Sequence, residues 1–215
     1  SKEGKGEYIF AGNRTGTEPF ASQNGVTYVG DDGQRMVAAG PGLQVATGDP
    51  GSAVFANIPT GNGTFAISAA SANTGSAVAG ASSVSDPHAN PSAWDGGSYS
   101  IVFTAADTYE VRDGGGAVLD SGSYDPAVGG SVSFRGAQVA FSGTPAAGDS
   151  FALGASSTQD VFTTLDKIIS TLQQPNGGGA DTQNDINTQF ANLDQAINTI
   201  TRTRGAVGAR MNALD

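Results

Sequence analysis

A heptad repeat in the last quarter of the chain is the feature that most constrains its fold. From residue 186 onward, apolar side chains recur at alternating spacings of four and three residues, and only Arg204 interrupts them. A repeat of about 3.5 residues keeps one side of a helix facing a partner helix, so it predicts a long helix of the coiled-coil type. We call its apolar residues the seam: Ile186, Phe190, Leu193, Ile197, Ile200, Val207, Met211 and Leu214. A long helix packed inside its own domain would carry the same stripe, and this second interpretation stays open.

A shorter helix is predicted just before the repeat. Asp160 offers a side-chain cap for its first turn, and Pro175 with the glycines after it ends the segment. Its apolar stripe consists of Val161, Leu165, Ile168 and Leu172, broadened by Phe162 and Ile169. No stop signal follows the seam before Asp215, and residues 1–6 have the composition of a helix tail with a glycine cap. We therefore expect both ends of the chain to lie in helical structure.

The middle of the chain has the pattern of antiparallel β structure. Aromatic and β-branched side chains alternate with polar ones across Tyr99–Arg112, with a short loop in between, which predicts a hairpin. Further short strands are predicted at residues 117–119, 131–134 and 138–141, so that the hairpin continues as a meander. Residues 68–98 show no clear period and predict a long surface excursion.

The change of period along the chain predicts an α+β protein with two domains. The middle zone carries a net charge of −6 out of −10 and contains no lysine, whereas the zones on either side are less acidic. We expect residues 1–55 and 151–215 to form one discontinuous domain. Residues 56–150 are expected to form an antiparallel β domain inserted into it.

Composition excludes several classes of function. The net charge of −10 and the isoelectric point near 4.3 argue against nucleic acid as a partner. No apolar stretch approaches the roughly 18 residues of a membrane span, so no membrane partner is expected. The chain has no cysteine and one histidine, which leaves little for thiol catalysis, zinc–thiolate sites or acid–base chemistry. We predict no catalytic residues, no cofactor, no metal and no enzymatic activity.

Three isolated features resemble functional sites, but the sequence does not support a site at any of them. His88 lies in a proline-flanked loop, and nothing in the sequence pairs it with a nucleophile. Residues 40–42 begin like a phosphate loop, but the lysine and hydroxyl residues of such a loop do not follow. Three turn aspartates lack the alternating spacing of a calcium loop and are better explained as solvated turn residues: Asp113, Asp120 and Asp125.

Several segments resemble a known family. Near the two ends, residues 6–12 (Gly-Glu-Tyr-Ile-Phe-Ala-Gly), 28–31 (Tyr-Val-Gly-Asp), 51–55 (Gly-Ser-Ala-Val-Phe) and the closing stretch 204–215, with its Val-Gly-Ala-Arg, resemble bacterial flagellar hook-associated protein 3. This family, the hook–filament junction proteins, is part of the flagellin superfamily. Within the middle zone, the hairpin and residues 121–124, 134–136 and 148–151 are similar to the β domain of hook-associated proteins 1 and 3.

The resemblance implies a fold and a role. The fold would be a flagellin-like core domain of long coiled-coil-type helices and hairpin segments, with an outer β domain inserted. The role would be a secreted structural subunit of the flagellum, exported by the type III route, that joins the hook to the filament. Terminal assembly helices would lie outside these 215 residues.

The resemblance also implies partners. They are hook-associated protein 1 on the hook side, flagellin on the filament side, other copies in a junction ring when the protein is full length, and an export chaperone before secretion. The present stretch alone is expected to be monomeric. A different hypothesis is an extracellular adhesin or phage-tail-like module that binds its target through the acidic β domain.

Overall fold

A computed structural model describes residues 2–3, 6–22, 25–85, 94–174 and 178–213. In these ranges the chain forms sixteen short or medium strands, one π-helical turn and two α-helices. The strands are β1 Lys2–Glu3, β2 Glu7–Tyr8, β3 Phe20–Ser22, β4 Val26–Tyr28, β5 Met36–Gly40, β6 Leu43–Ala46, β7 Ile58–Pro59, β8 Phe65–Ala69, β9 Val78–Val84, β10 Tyr99–Ala105, β11 Thr108–Asp113, β12 Val118–Ser123, β13 Gly130–Phe134, β14 Ala137–Ser142, β15 Ser150–Ala155 and β16 Thr158–Gln159. The π-helical turn is Ser52–Ala56, and the helices are α1 Val161–Leu172 and α2 Ala180–Asn212.

Helix and antiparallel sheet are thus combined, as the α+β prediction requires. Two compact units can be distinguished: the first contains Ser1–Ile58, Thr158–Asp166 and Leu193–Asp215, and the second contains Pro59–Ser157 and Lys167–Asn192. The predicted domain limits at residues 55 and 150 lie close to the first two changes of unit, after Ile58 and after Ser157, and they remain a prediction.

The second unit holds two antiparallel sheets that share one core. Five strands follow the order β12-β11-β10-β15-β8, and three follow the order β13-β14-β9. The predicted hairpin is β10 and β11, with Ile101 opposite Val111 and Phe103 opposite Tyr109. The prediction of a single meander was wrong, because β13 and β14 pair with each other, and β14 pairs with β9, instead of continuing the first sheet.

Phenylalanine side chains form the centre of this core. Phe65, Phe103 and Phe151 have no solvent exposure, and Phe103 makes edge-to-face contacts with Phe141 at 5.5 Å and Tyr124 at 5.4 Å between ring centroids. Such contacts add to the free energy of burying the rings. Both sheets contribute side chains, and no seam residue belongs to this core among the described residues.

The prediction of a surface excursion over residues 68–98 was wrong in its described part. Residues 78–84 are strand β9, and Ala77 and Ala79 are buried in the core. The strand escaped detection because alanine, glycine and serine carry almost no hydrophobic period. The part of this segment at residues 86–93, with His88, lies outside the described residues.

A tight turn between β13 and β14 is held by side chains from another segment. Arg135 and Gly136 both have positive φ, 45° and 77°, as a two-residue hairpin turn requires. Arg135 donates to the Asp95 carboxylate at 2.5 Å, and the Tyr99 hydroxyl donates to the same oxygen at 2.6 Å. Hydrogen bonds from Tyr99, from the Gly97 backbone N–H and from Arg135 lower the pKa of Asp95 to about 2.

The first unit is built from short hairpins. Strands β1 and β2, β3 and β4, and β5 and β6 each pair antiparallel. The predicted helix tail at residues 1–6 was wrong for its described part, because Lys2–Glu3 is a strand paired with Glu7–Tyr8. Gly6 has a φ of 85°, a left-handed conformation that allows the chain to reverse instead of continuing a helix.

Both predicted helices are present. Asp160 caps α1, because its Oδ1 accepts a hydrogen bond from the Thr163 N–H at 2.7 Å. The α1 helix ends at Leu172, shortly before Pro175. The α2 helix is continuous over Ala180–Asn212 and carries all seam residues except Leu214, which lies outside the described residues.

Candidate assembly surface

The seam of α2 faces solvent over most of its length. Phe190 is 53% exposed, Ile197 54%, Val207 40% and Met211 62%. The other described seam residues, Ile186, Leu193 and Ile200, are half-buried, and Arg204 is exposed. In an ordinary surface helix the apolar face packs against the protein core. In α2 the apolar face is instead exposed to solvent.

The polar face of the same helix is the buried one. Asn184, Asn192 and Thr199 are 4%, 4% and 9% exposed, and Gln189 is 8% exposed. Amide and hydroxyl groups are rarely enclosed to this degree unless they form hydrogen bonds. Asn192 does so in the second unit: its Oδ1 accepts from the Gly61 N–H at 2.8 Å.

The α1 helix shows the same inversion. Leu165, Ile169 and Leu172 are 42%, 51% and 65% exposed, whereas Thr164 and Thr171 are almost fully buried. Thr164 accepts a hydrogen bond from the Gln159 side chain at 2.8 Å. Both α-helices of the described chain thus turn apolar side chains outward.

The family-like segments near the start of the chain pack together in the first unit. Phe10 and Phe55 meet edge to face at 5.1 Å, and Phe20 lies 5.4 Å from Tyr28 between ring centroids. Phe162 of α1 joins this aromatic cluster, 5.2 Å from Phe20. Three of the family-like segments are far apart in sequence, but each contributes an aromatic side chain to this cluster: residues 6–12, 28–31 and 51–55.

Two glycines of these segments sit where a side chain would collide. A Cβ on Gly51 would lie 2.7 Å from the Tyr28 ring and 2.8 Å from the Phe20 ring. Gly12 has a φ of 67°, and a Cβ there would lie 2.2 Å from the Asp31 carbonyl oxygen. Backbone contacts this close require glycine.

Asp31 closes the loop that follows Tyr28. Its Oδ1 accepts hydrogen bonds from the backbone N–H of Asn13 at 2.7 Å and of Gly33 at 2.9 Å. These bonds stabilise the charged form and lower the pKa of Asp31 below its ordinary value. The Tyr28 hydroxyl lies 2.7 Å from the Asp31 carbonyl oxygen, to which it donates.

The arginine of the Val-Gly-Ala-Arg segment has a specific partner. Arg210, near the end of α2, donates to both carboxylate oxygens of Asp49, with Nη1 at 3.1 Å from Oδ1. Both side chains are largely buried, at 22% and 17% exposure. A bidentate pair fixes orientation as well as distance, so it holds the last turns of α2 to the loop after β6. Sequence reasoning quoted this arginine but did not find its partner, because nothing in the spacing connects residues 49 and 210.

Metal clusters and membrane-spanning helices are both absent from the part of the chain that the structure describes. The described residues contain no group of three histidine, aspartate or glutamate side chains close enough to hold a metal ion. Neither α-helix of the described chain is both long and apolar enough to cross a bilayer. The heptad pattern predicts the seam residues but not the buried amide side chains on the opposite face. The only feature of the sequence that points to them is the frequency of asparagine and glutamine in α2.

Comparison with known proteins connects this architecture to solved structures. No family model and no curated protein matches the chain. Crystal structures of FlgL from Xanthomonas campestris are similar over 100% of this chain, at 37% identity and TM-scores of 0.88 and 0.90, and this chain covers 70% and 69% of theirs. Flagellar hook-associated protein 3 from Legionella pneumophila is similar at 30% identity and a TM-score of 0.87, with 68% of that chain covered. A second Legionella pneumophila structure, called the flagellar junction protein FlgL, has a TM-score of 0.85 at 30% identity, with 73% of that chain covered.

These similarities agree with the resemblance found in the sequence, and they cover the whole chain. Similarity at 30% identity or more over the whole chain goes beyond shared fold. The chain belongs to the hook-associated protein 3 family, the FlgL structural proteins of the flagellar hook–filament junction.

Proposed function

We propose that this chain joins hook and filament by packing the outward apolar faces of α1 and α2 against other helices. The inverted burial of the two helices carries this proposal: Ile197 and Leu172 are exposed while Asn184 and Thr171 are enclosed. Large exposed apolar stripes on a folded protein mark surfaces that another molecule or segment covers. The stripe has no nucleophile or acid–base group, so we propose a structural role without catalysis.

The occupants proposed for these faces are helices, because the spacing of the seam matches a coiled coil. We propose that terminal assembly helices of the full-length protein complete a flagellin-like core domain here. Its partners would then be hook-associated protein 1, flagellin and further copies of itself in a junction ring. An export chaperone would protect the apolar stripe before type III secretion to the cell exterior.

We also propose the domain organisation predicted above, with residues 1–55 and 151–215 as the discontinuous core and 56–150 as the inserted outer domain. Limited proteolysis tests it: the first cuts are expected near residues 55–63 or 145–148, because connecting backbone is more accessible than packed helix. A first cut inside residues 186–200 would contradict the proposal.

The adhesin or phage-tail hypothesis has no support in the comparisons, since the similar structures are flagellar junction proteins. The acidic β domain is more simply a folded outer domain with solvated carboxylates.

A complementation experiment tests the proposed function. The full-length gene carrying both Phe190→Gln and Ile197→Gln is introduced into cells that lack it, with Asn198→Gln, at an exposed position of the same helix outside the seam, as the control. The control is expected to restore filaments. The double variant is expected to be secreted yet to leave hooks without filaments and flagellin in the medium, as electron microscopy and immunoblotting would show. Normal filaments in the double variant would refute the role of the seam.

The 215-residue chain alone is proposed to be a monomer. Gly205 and Gly208 each weaken a helix interior by about 1 kcal/mol relative to alanine and carry no side chain, so the last heptads offer little apolar surface for dimerisation. Light scattering after size exclusion checks this. A stable dimer that Phe190→Gln abolishes would contradict it, whereas self-association is expected once the full-length ends are present.

A further inference from the structure

The three-stranded sheet has a free edge that α2 covers. Among the residues that the structure describes, strand β9 pairs with β14 on one side and with no strand on the other, because the order is β13-β14-β9. An unpaired strand edge carries backbone N–H and C=O groups that need partners when they are buried. Here Ala77 and Ala79 are 4% and 6% exposed, so solvent does not supply those partners.

The side chain of Asn184 supplies them. Its Oδ1 accepts a hydrogen bond from the Ala79 N–H at 2.8 Å, and its Nδ2 donates to the Ala77 carbonyl oxygen at 3.0 Å. A residue in a parallel strand opposite Val78 would bind the same two backbone groups. The asparagine amide therefore takes the place of one peptide group of a missing fourth strand.

Neighbouring side chains of α2 extend this contact. Asn187 donates to the Ala79 carbonyl oxygen at 2.8 Å, so Ala79 has partners for both its backbone groups. Asn192, two helical turns after Asn184, accepts from the Gly61 N–H in the same unit. Asn184 itself is 4% exposed and is the member of the set that binds both a backbone donor, at Ala79 in β9, and a backbone acceptor, at Ala77 just before it.

We propose that Asn184 is a positioning residue that fixes the rotation of α2 about its axis and so decides which face of the helix is turned outward. Residues two apart in a helix point in nearly opposite directions, so holding Asn184 on the strand directs Ile186 away from it. The same rotation brings Phe190, one turn further on, to the outside. The statement that the outward face serves assembly rests on the proposed function. The statement that Asn184 fixes which face is turned outward does not rest on it.

The absence of cysteine from the chain permits a direct test. Single thiols are introduced by Gln189→Cys on the buried face and Phe190→Cys on the seam, and their rates of reaction with a soluble maleimide are compared. In the parent chain the thiol at position 190 is expected to react at least about tenfold faster, since position 189 is 8% exposed and position 190 is 53% exposed.

Asn184→Leu keeps a side chain of similar size but loses both hydrogen bonds. The ratio of the thiol reaction rate at position 190 to that at position 189 is expected to fall by about tenfold or more. This factor corresponds to the free-energy cost of leaving one buried backbone group unpaired. Asn198→Leu on the exposed face of α2 is the control and should leave the ratio unchanged. An unchanged ratio in Asn184→Leu would overturn the proposal.

A second variant separates hydrogen bonding from shape. Asn184→Asp has nearly the same shape, but its carboxylate cannot donate to the Ala77 carbonyl oxygen, whereas the protonated acid can. With each rate ratio referred to the parent at the same pH, the ratio is expected to recover as the pH falls from about 8 to about 5, because burial raises the pKa of the introduced acid. A pH-independent ratio would refute positioning by hydrogen bonds. If Asn184→Leu fails to fold, the pH dependence of Asn184→Asp alone tests whether Asn184 positions the helix. None of these measurements depends on assembly of the junction.

Discussion

Replacing Ile197 with glutamine is expected to change the stability of the isolated chain very little. Burying an isoleucine side chain completely contributes about 1.5–3 kcal/mol. Ile197 is 54% exposed, so less than half of that contribution is present in the chain alone. Glutamine keeps part of the aliphatic contact and is a slightly better helix former, so the expected loss is below about 1 kcal/mol.

The neighbouring position provides the matched control. Ala196 is 2% exposed and lies one residue away on the enclosed side of the same helix. A glutamine there must fit into occupied space, which costs about 1–3 kcal/mol, and must bury an amide without a prepared partner, which adds about 1–3 kcal/mol. Ala196→Gln is therefore expected to lower the free energy of unfolding by at least about 2 kcal/mol.

Urea denaturation followed by helical circular dichroism measures both variants against the parent chain. The expected order places Ile197→Gln close to the parent and Ala196→Gln well below it. Losses of similar size in the two variants would refute the assignment of the outward face. They would instead favour the second interpretation of the heptads, a helix packed through its apolar stripe within its own domain.

Three further predictions concern positions outside the seam. Gly51→Ala is expected to destabilise the chain by about 1–3 kcal/mol in thermal or urea unfolding, because the new methyl group would overlap the Tyr28 ring; an unchanged midpoint would contradict the close packing. Gly205→Ala is expected to stabilise α2 by about 1 kcal/mol, since no atom lies within 4 Å of the added Cβ. Hydrogen exchange of the backbone amides around position 205 should therefore become slower, and faster exchange would contradict the prediction. Asp95, with its pKa lowered to about 2, stabilises the fold at neutral pH, and this contribution is lost as the pH falls toward that value. Asp95→Asn should reduce the acid-induced loss of stability, and an unaltered acid titration would argue against the Arg135 network.

Elements with strong local patterns were predictable from the sequence. The α1 helix begins after Asp160 as expected, because the capping oxygen and the apolar stripe are both within a few residues of the helix start. The hairpin at Tyr99–Arg112 was equally clear, because alternating large and polar residues specify a strand locally. The seam residues of α2 were identified for the same reason.

Features that depend on distant partners were not predictable. Strand β9 consists of small residues and has no strong pattern of its own. It is defined by its pairing with β14 and by the hydrogen bond from Ala79 to Asn184, and both partners are distant in sequence. The heptads indicated which side chains lie on one face of α2 but not whether that face turns inward. The answer depends on Asn184 and on a strand more than a hundred residues earlier in the chain, and no local pattern contains that information.

The way α2 attaches to β9 bears on how the family can diverge. The hydrogen bonds of the Asn184 side chain go to peptide groups at the start of the strand, and every residue except proline presents the same N–H and C=O. Substitutions in the strand can therefore accumulate without compensating changes in the helix, as long as its backbone path is kept. An alignment of many relatives should then show strong retention of an amide at position 184 together with weak covariation between the helix and the strand it binds.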